Sequence, residues 1–254
     1  MNLIIGDGRS TRIGTRSEVT ESRAHSAGGA QLRPVRRKKH AASRVGAVVI
    51  AFALWMPVVA EAQRAGSVGG CDIRRGTLCT NLNLNGADLT GVNLANSQFT
   101  QSDLSDAKLS GATLDEANFS STDLRGTDLR QASMVRINLR GARMNEAKLA
   151  GARLTNAILQ NADLSNADLS GTILANADFS NARLEGANLQ GADLQRANLR
   201  AAKLKGASLM GAKLHGANFT RASLIDADLT GADIAQAIFL NAQTQGCKGC
   251  PPQP

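Results

Sequence analysis

The sequence predicts an all-β solenoid, a four-sided coil completing one turn every twenty residues for about eight turns. Three observations predict it. From Leu84 to Phe239 every fifth residue is Leu, Phe, Met or Ile, thirty-two times without a break. Two positions before each of these, Ala stands in twenty-four cases. The central phenylalanines Phe99, Phe119, Phe179, Phe219 and Phe239 differ only by multiples of twenty.

A period of five fits neither regular element. On an α-helix, advancing about 100° per residue, each repeat turns the Leu by about 140° and smears the apolar stripe. On a flat strand an odd period sends successive Leu residues to opposite faces. A bend inside every repeat points them all inward, and the chain then coils about an axis. The Ala two positions earlier points the same way and is small because the interior is narrow. The residue between them points outward, as Asp88, Asn93, Asp103, Lys108 and Asn118 suggest. Gly86, Gly91, Gly111, Gly126 and their equivalents recur at the turn, where tolerance of unusual φ explains them.

Four sides per turn stack the five phenylalanines on one face with Leu139, Leu159 and Leu199. In that register Asp88, Lys108, Asp128, Lys148 and Asp168 form an outward column of alternating sign. Asp123, Arg143, Asp163 and Arg183 form a second, and Gln98, Asn118 and Asn138 an amide column. Opposite charges across a ladder contribute only about 0.2–1 kcal/mol each and act mainly against slipped registers. Turns bonded like strands sit about 4.8 Å apart, which makes the rod roughly 38 Å long.

These residues resemble the pentapeptide-repeat family, whose motif is A(D/N)Lxx. The run Ala162-Asp163-Leu164-Ser165-Asn166-Ala167-Asp168-Leu169-Ser170-Gly171 is a close match. The resemblance covers about 82–241 and implies a right-handed quadrilateral β-helix. The departures are Ile158, Ile173 and Ile238 at outward positions and Met134 and Met144 in place of Leu. The family name implies a fold and no single function. Some members imitate DNA and bind type II topoisomerases such as gyrase, protecting them from quinolones.

Upstream, 1–44 read as a disordered basic leader with a cluster at Arg33, Arg36, Arg37, Lys38, Lys39 and Arg44. Residues 45–62 hold an uncharged run, Val45 to Ala60, that ends in Ala60-Glu61-Ala62. Basic region, short apolar core and small-x-small site describe a secretory signal peptide cleaved after Ala62. The run falls short of the ~20 apolar residues of a spanning helix, although an uncleaved anchor stays open. Sixty-two residues is a long leader, and one hypothesis is translation from a start codon at Val35. A peptide covering Gly6 to Arg23 would sink it. Arg36-Arg37 lacks the rest of a twin-arginine motif and reads as a plain basic region. The chain is therefore expected to be periplasmic or extracellular.

The net charge of +8 belongs largely to this leader. Ten of the twenty-nine basic residues lie in 1–62, against four acidic ones, whereas 81–241 holds fifteen basic and sixteen acidic. The charge is no argument for nucleic-acid binding.

Residues 63–81 are expected to cap the coil, and 242–254 to form a tail. Cys71 and Cys79 precede the first repeat; Cys247 and Cys250 follow the last. An even count in an oxidising compartment suggests disulfides. By position the pairs are Cys71–Cys79 and Cys247–Cys250, though sequence alone leaves the connectivity open. Val68-Gly69-Gly70-Cys71 loosely resembles a lipobox, which would make Cys71 a lipid anchor, but Glu61 and Arg64 intervene before it. Cys247-Lys248-Gly249-Cys250 reads as a staple on a fraying end rather than a redox motif, since no βαβ context surrounds it.

The sequence suggests no catalytic group, cofactor or metal site. His215 is a lone outward histidine, and the aspartates are spaced along columns rather than converging. Basic residues concentrate in Arg125, Arg130, Arg136, Arg140, Arg143, Lys148 and Arg153, and again in Arg196, Arg200, Lys203, Lys205, Lys213 and Arg221. Each group is either a solvated face or a patch for acidic partners such as phospholipid headgroups or cell-wall polymers. Ile225, Ile238 and Leu240 could mark a partner or end-to-end self-association surface. The expected function is an exported, non-enzymatic scaffold or interaction module whose partner is a protein or envelope component. The alternative is a DNA-mimicking gyrase inhibitor.

Overall fold

Each repeat builds one side of the coil from a single bridging residue and one corner. A computed structural model describes residues 66–252 of the chain. The leader and the Val45–Ala60 run with its cleavage site lie outside the described residues. Among those described, no helix is long and apolar enough to cross a membrane.

The ladder consists of parallel bridges that all join residues twenty apart, from Leu78↔Gln98 to Asp228↔Lys248. This is the four-sided coil that the sequence predicts and the right-handed quadrilateral β-helix that the resemblance implies. Central amides bond to the following turn, as in Leu164 N→Arg183 O at 2.7 Å. Outward amides bond to the preceding turn, as in Asp163 N→Ala142 O at 2.9 Å. At each corner the chain closes a tight turn, such as Ala167 N→Leu164 O at 3.0 Å. The third turn residue has positive φ, the demand of a type II turn. Gly171 meets it at φ +60° and Asn166 at +57°, while Ala201 adopts +55° against its side-chain preference.

The interior is the expected one. The centres from Leu84 to Leu229 are buried, as are nearly all the residues two positions before them. Phe99 stacks on Phe119 with centroids 4.8 Å apart, and Phe219 on Phe239 at 5.0 Å, one ring per turn. Ile137 occupies a fully buried position where Ala is usual. The centres on the two adjacent sides are Met134 and Met144, whose unbranched side chains can yield to the added volume.

The ladder passes the expected 82–241 limits at both ends. Cys79 takes a central position and Thr77 the small one before it, both buried. Beyond the last repeat, Lys248 still bonds to Ala227 O at 2.9 Å. Polar residues and cysteine satisfy the same geometry without matching the Leu and Ala pattern. Before the ladder, β1 (Ser67–Val68) pairs antiparallel with β2 (Cys71–Asp72). Gly69 and Gly70 join them with φ of +56° and +82°, which glycine adopts freely.

Candidate interaction surfaces

The outward residue of each repeat has a structural task. The amide just after each centre has no place in the ladder, so it needs another acceptor. All seventeen outward Asp and Asn residues from Asn83 to Asp233 accept that hydrogen bond through Oδ1 at 2.9–3.3 Å. This explains the D/N of the motif: a short side chain with an acceptor two bonds from Cβ. The sequence pattern alone marks these residues only as outward polar groups.

The same contacts hold carboxylates below their usual range. Hydrogen bonds from Thr90 and Thr230 do so for Asp88 and Asp228. Arg125 and Arg130 donate to Asp123 and Asp128 with the same result. At Asp163 and Asp178 burial opposes the shift, but bonds from Ser165 and Ser180, with other side chains, outweigh it.

The amide column forms as expected: Asn118 Nδ2 donates to Gln98 at 3.0 Å and Asn138 Nδ2 to Asn118 at 3.1 Å. The charge columns are weaker than expected. Asp123 is 2.6 Å from Arg125 two residues on, but 3.9 Å from Arg143 in its column. Lys108–Asp88 and Arg183–Asp163 measure 3.6 and 3.7 Å. A corner arginine folds back onto the carboxylate of its own turn more easily than a column arginine spans a rung. Such exposed pairs contribute little.

Residues adjacent in sequence do not share a face, because five residues advance the chain by a quarter turn. Arg125, Arg130, Arg136 and Arg140 take the four successive corners of one turn, and Arg143, Lys148 and Arg153 the next three sides. They form a belt around the rod. Arg125, Arg130 and Arg136 are paired with Asp123, Asp128 and Glu116, and Arg143 lies near Asp123. Arg140, Lys148 and Arg153 have no carboxylate within 4.0 Å among the described residues. The second group divides as well. Lys213 falls on the side opposite Lys203, and Arg196 lies one corner away from Arg200 and Arg221.

The cysteines pair as Cys71–Cys79 and Cys247–Cys250, with Cα separations of 5.4 and 5.8 Å. Cys71 is 1% exposed and has no thiol left for a lipid, so the lipid-anchor alternative falls. His215 lies at a corner and is half-buried. Ile238 and Leu240 are 49% and 62% exposed, beside the half-buried Ile234 and Phe239 at the C-terminal end; Ile225 is half-buried at a corner. An open depression on one side includes Gln101, Asp103, Ser121, Asp123 and Arg143, and another includes Gly111, Arg130 and Gln131. Among the described residues, no cluster of His, Cys, Asp or Glu could hold a metal.

No curated protein is similar to the chain. Solved structures are. HetL, a pentapeptide repeat protein of heterocyst differentiation regulation from the cyanobacterium Nostoc sp. strain PCC 7120, is 33% identical. That match covers 67% of this chain and 88% of HetL, with a TM-score of 0.44. Trypsin-treated QnrB1, a plasmid-mediated fluoroquinolone resistance protein, is 26% identical over 65% of this chain and 84% of its own, with a TM-score of 0.61. The pattern described as pentapeptide repeats matches in eight copies between residues 75 and 241. The chain belongs to the pentapeptide-repeat family.

Proposed function

We propose that the chain is an exported, non-enzymatic scaffold or interaction module of the periplasm or cell exterior. The observation that carries this reading is the uninterrupted coil with a disulfide at each end. Disulfides persist in oxidising compartments, and among the described residues the short corners leave no insertion with which to build a cleft. The sequence of basic region, apolar run and Ala60-Glu61-Ala62 supports export. The test is the intact mass of the native protein from fractionated cells. The expected species is Gln63–Pro254 in the envelope fraction, four hydrogens lighter before reduction. A full-length, fully reduced cytoplasmic chain would overturn the reading. Within it, the half-exposed C-terminal end serves association with a second copy, detectable as a dimer in native mass spectrometry that Leu240→Glu removes.

The likeness to QnrB1 favours a second reading, a gyrase-binding imitation of DNA. Duplex DNA carries about one charge per 1.7 Å, so its imitation needs a strongly anionic rod. With fifteen basic and sixteen acidic residues in 81–241, this coil lacks that density. Inhibition of gyrase supercoiling by the purified chain would reinstate the second reading.

A further inference from the structure

Folding the charge pattern onto the coil gathers cations that the sequence keeps far apart. One side carries the outward column Asp103, Asp123, Arg143, Asp163, Arg183, Lys203 and Ser223. The edge before it carries, turn by turn, Thr100, Ser120, Arg140, Gln160, Ser180, Arg200 and then Thr220 with Arg221. That edge holds no acidic residue along its length. From Arg140 to Ser223, edge and side together form a strip with six cations and one carboxylate, Asp163. All six cations are exposed or half-exposed.

Two features set the strip apart from the ordinary solvated surface. Arg140, Arg200, Lys203 and Arg221 have no carboxylate within 4.0 Å among the described residues, and although Lys148, Arg153, Arg196, Lys205 and Lys213 share that property, only here do such cations gather along an edge without acidic residues. Arg183 and Lys203 are also direct ladder partners, so like charges face each other where the fold would favour opposite ones. Asp163 and Glu185 answer Arg183 at 3.7 and 3.6 Å, which leaves Lys203 as the member of the pair open to an anion. The opposite edge of the same side is mixed, with Asp106, Glu146, Glu185 and Asp226 against Arg125 and Lys205, so it attracts an anion less than the basic edge does.

We infer that this strip binds a linear phosphate polymer running along the rod. Four rungs at about 4.8 Å give a line of cations about 19 Å long and only one side wide, a shape that suits an extended chain of charges. A bilayer suits it less, because among the described residues no aromatic side chain is exposed and no helix is available to enter the interface. The inference goes beyond the scaffold reading and does not depend on export.

The test is fluorescence anisotropy of end-labelled inorganic polyphosphate with the full chain, over a series of salt concentrations. Arg200→Gln, Lys203→Gln and Arg221→Gln combined should weaken binding at least tenfold at low salt. The slope of log affinity against log salt should also fall by about 2, at roughly 0.7 per lost contact. A control of equal charge, Lys148→Gln, Arg153→Gln and Lys213→Gln on the next two sides, should change affinity less than threefold. The strip variant should melt no lower than the parent, since it relieves the Arg183–Lys203 opposition. Equal losses in both variants would assign binding to overall charge and overturn the inference. No loss in the strip variant would overturn it too, leaving the basic leader as the binder. Binding to phosphatidylglycerol vesicles without binding to polyphosphate would replace it with a membrane surface.

Discussion

At the N-terminal end the core is closed: Cys71, Ile73 and Cys79 are buried, and Val68 of the hairpin packs on the same cluster. At the C-terminal end Ile234 and Phe239 stay half-buried, and the Cys247–Cys250 staple lies against Leu229 on one side only. The amides of Phe239 and Asn241 meet no backbone acceptor among the described residues. A solenoid repeat is stabilised by its neighbours, so a terminal turn is held from one side alone. The two ends show that a disulfide fixes chain geometry, whereas apolar side chains are needed to close a core.

The sharpest test of that contrast uses one substitution at two places. Phe119→Ala, in the buried column, should cost about 3–5 kcal/mol, and Phe239→Ala at the open end about half as much. Chemical denaturation measures both. Equal costs would mean that the C-terminal end is covered in solution. Replacing both cysteines of a pair by Ser should cost about 2–4 kcal/mol at Cys71 and Cys79, and less at Cys247 and Cys250, whose loop is shorter. The first pair is also buried, so its loss should expose the hairpin to proteolysis.

Gly249→Ala should loosen the C-terminal staple by about 1–2 kcal/mol. Its φ is +71°, and an added Cβ would lie 2.7 Å from the backbone of Leu229. Limited proteolysis should then trim the last turn while the N-terminal hairpin resists.

The smallest effect is that of acid. Carboxylates held below their usual range, such as Asp123, Asp128 and Asp228, contribute stability above the unfolded value near 3.9. That contribution is lost as pH falls through their lower folded values. Melting temperature should therefore stay level from neutral pH to about 4.5 and decline below it. Asp228, bonded to Thr230 and 4.0 Å from Lys248, should make the C-terminal turn loosen first.

The sequence made the repeating parts legible and the singular parts obscure. Phenylalanines at multiples of twenty sufficed for four sides, because one residue type repeated in register needs no partner to be read. Thr77 and Cys79 escaped the pattern because burial here selects for size and direction, which they share with Ala and Leu only in part. The proximity of Arg125 to Asp123 was missed because a corner's fold-back is a matter of torsion angles rather than spacing. The belt of arginines was read as a patch because sequence distance and surface distance diverge on a coil. The role of the outward Asp and Asn could have been found by asking which amide the ladder leaves over.

The five-residue side has a consequence for change in length. Deleting one pentapeptide from the middle should leave a continuous core, since each side offers the same inward pair. It would nevertheless rotate every later surface residue by a quarter turn, dispersing the strip from Arg140 to Arg221. Deleting twenty residues shortens the rod and keeps all later residues on their faces. In this architecture surface chemistry can be reshuffled wholesale by a small deletion that the interior scarcely registers.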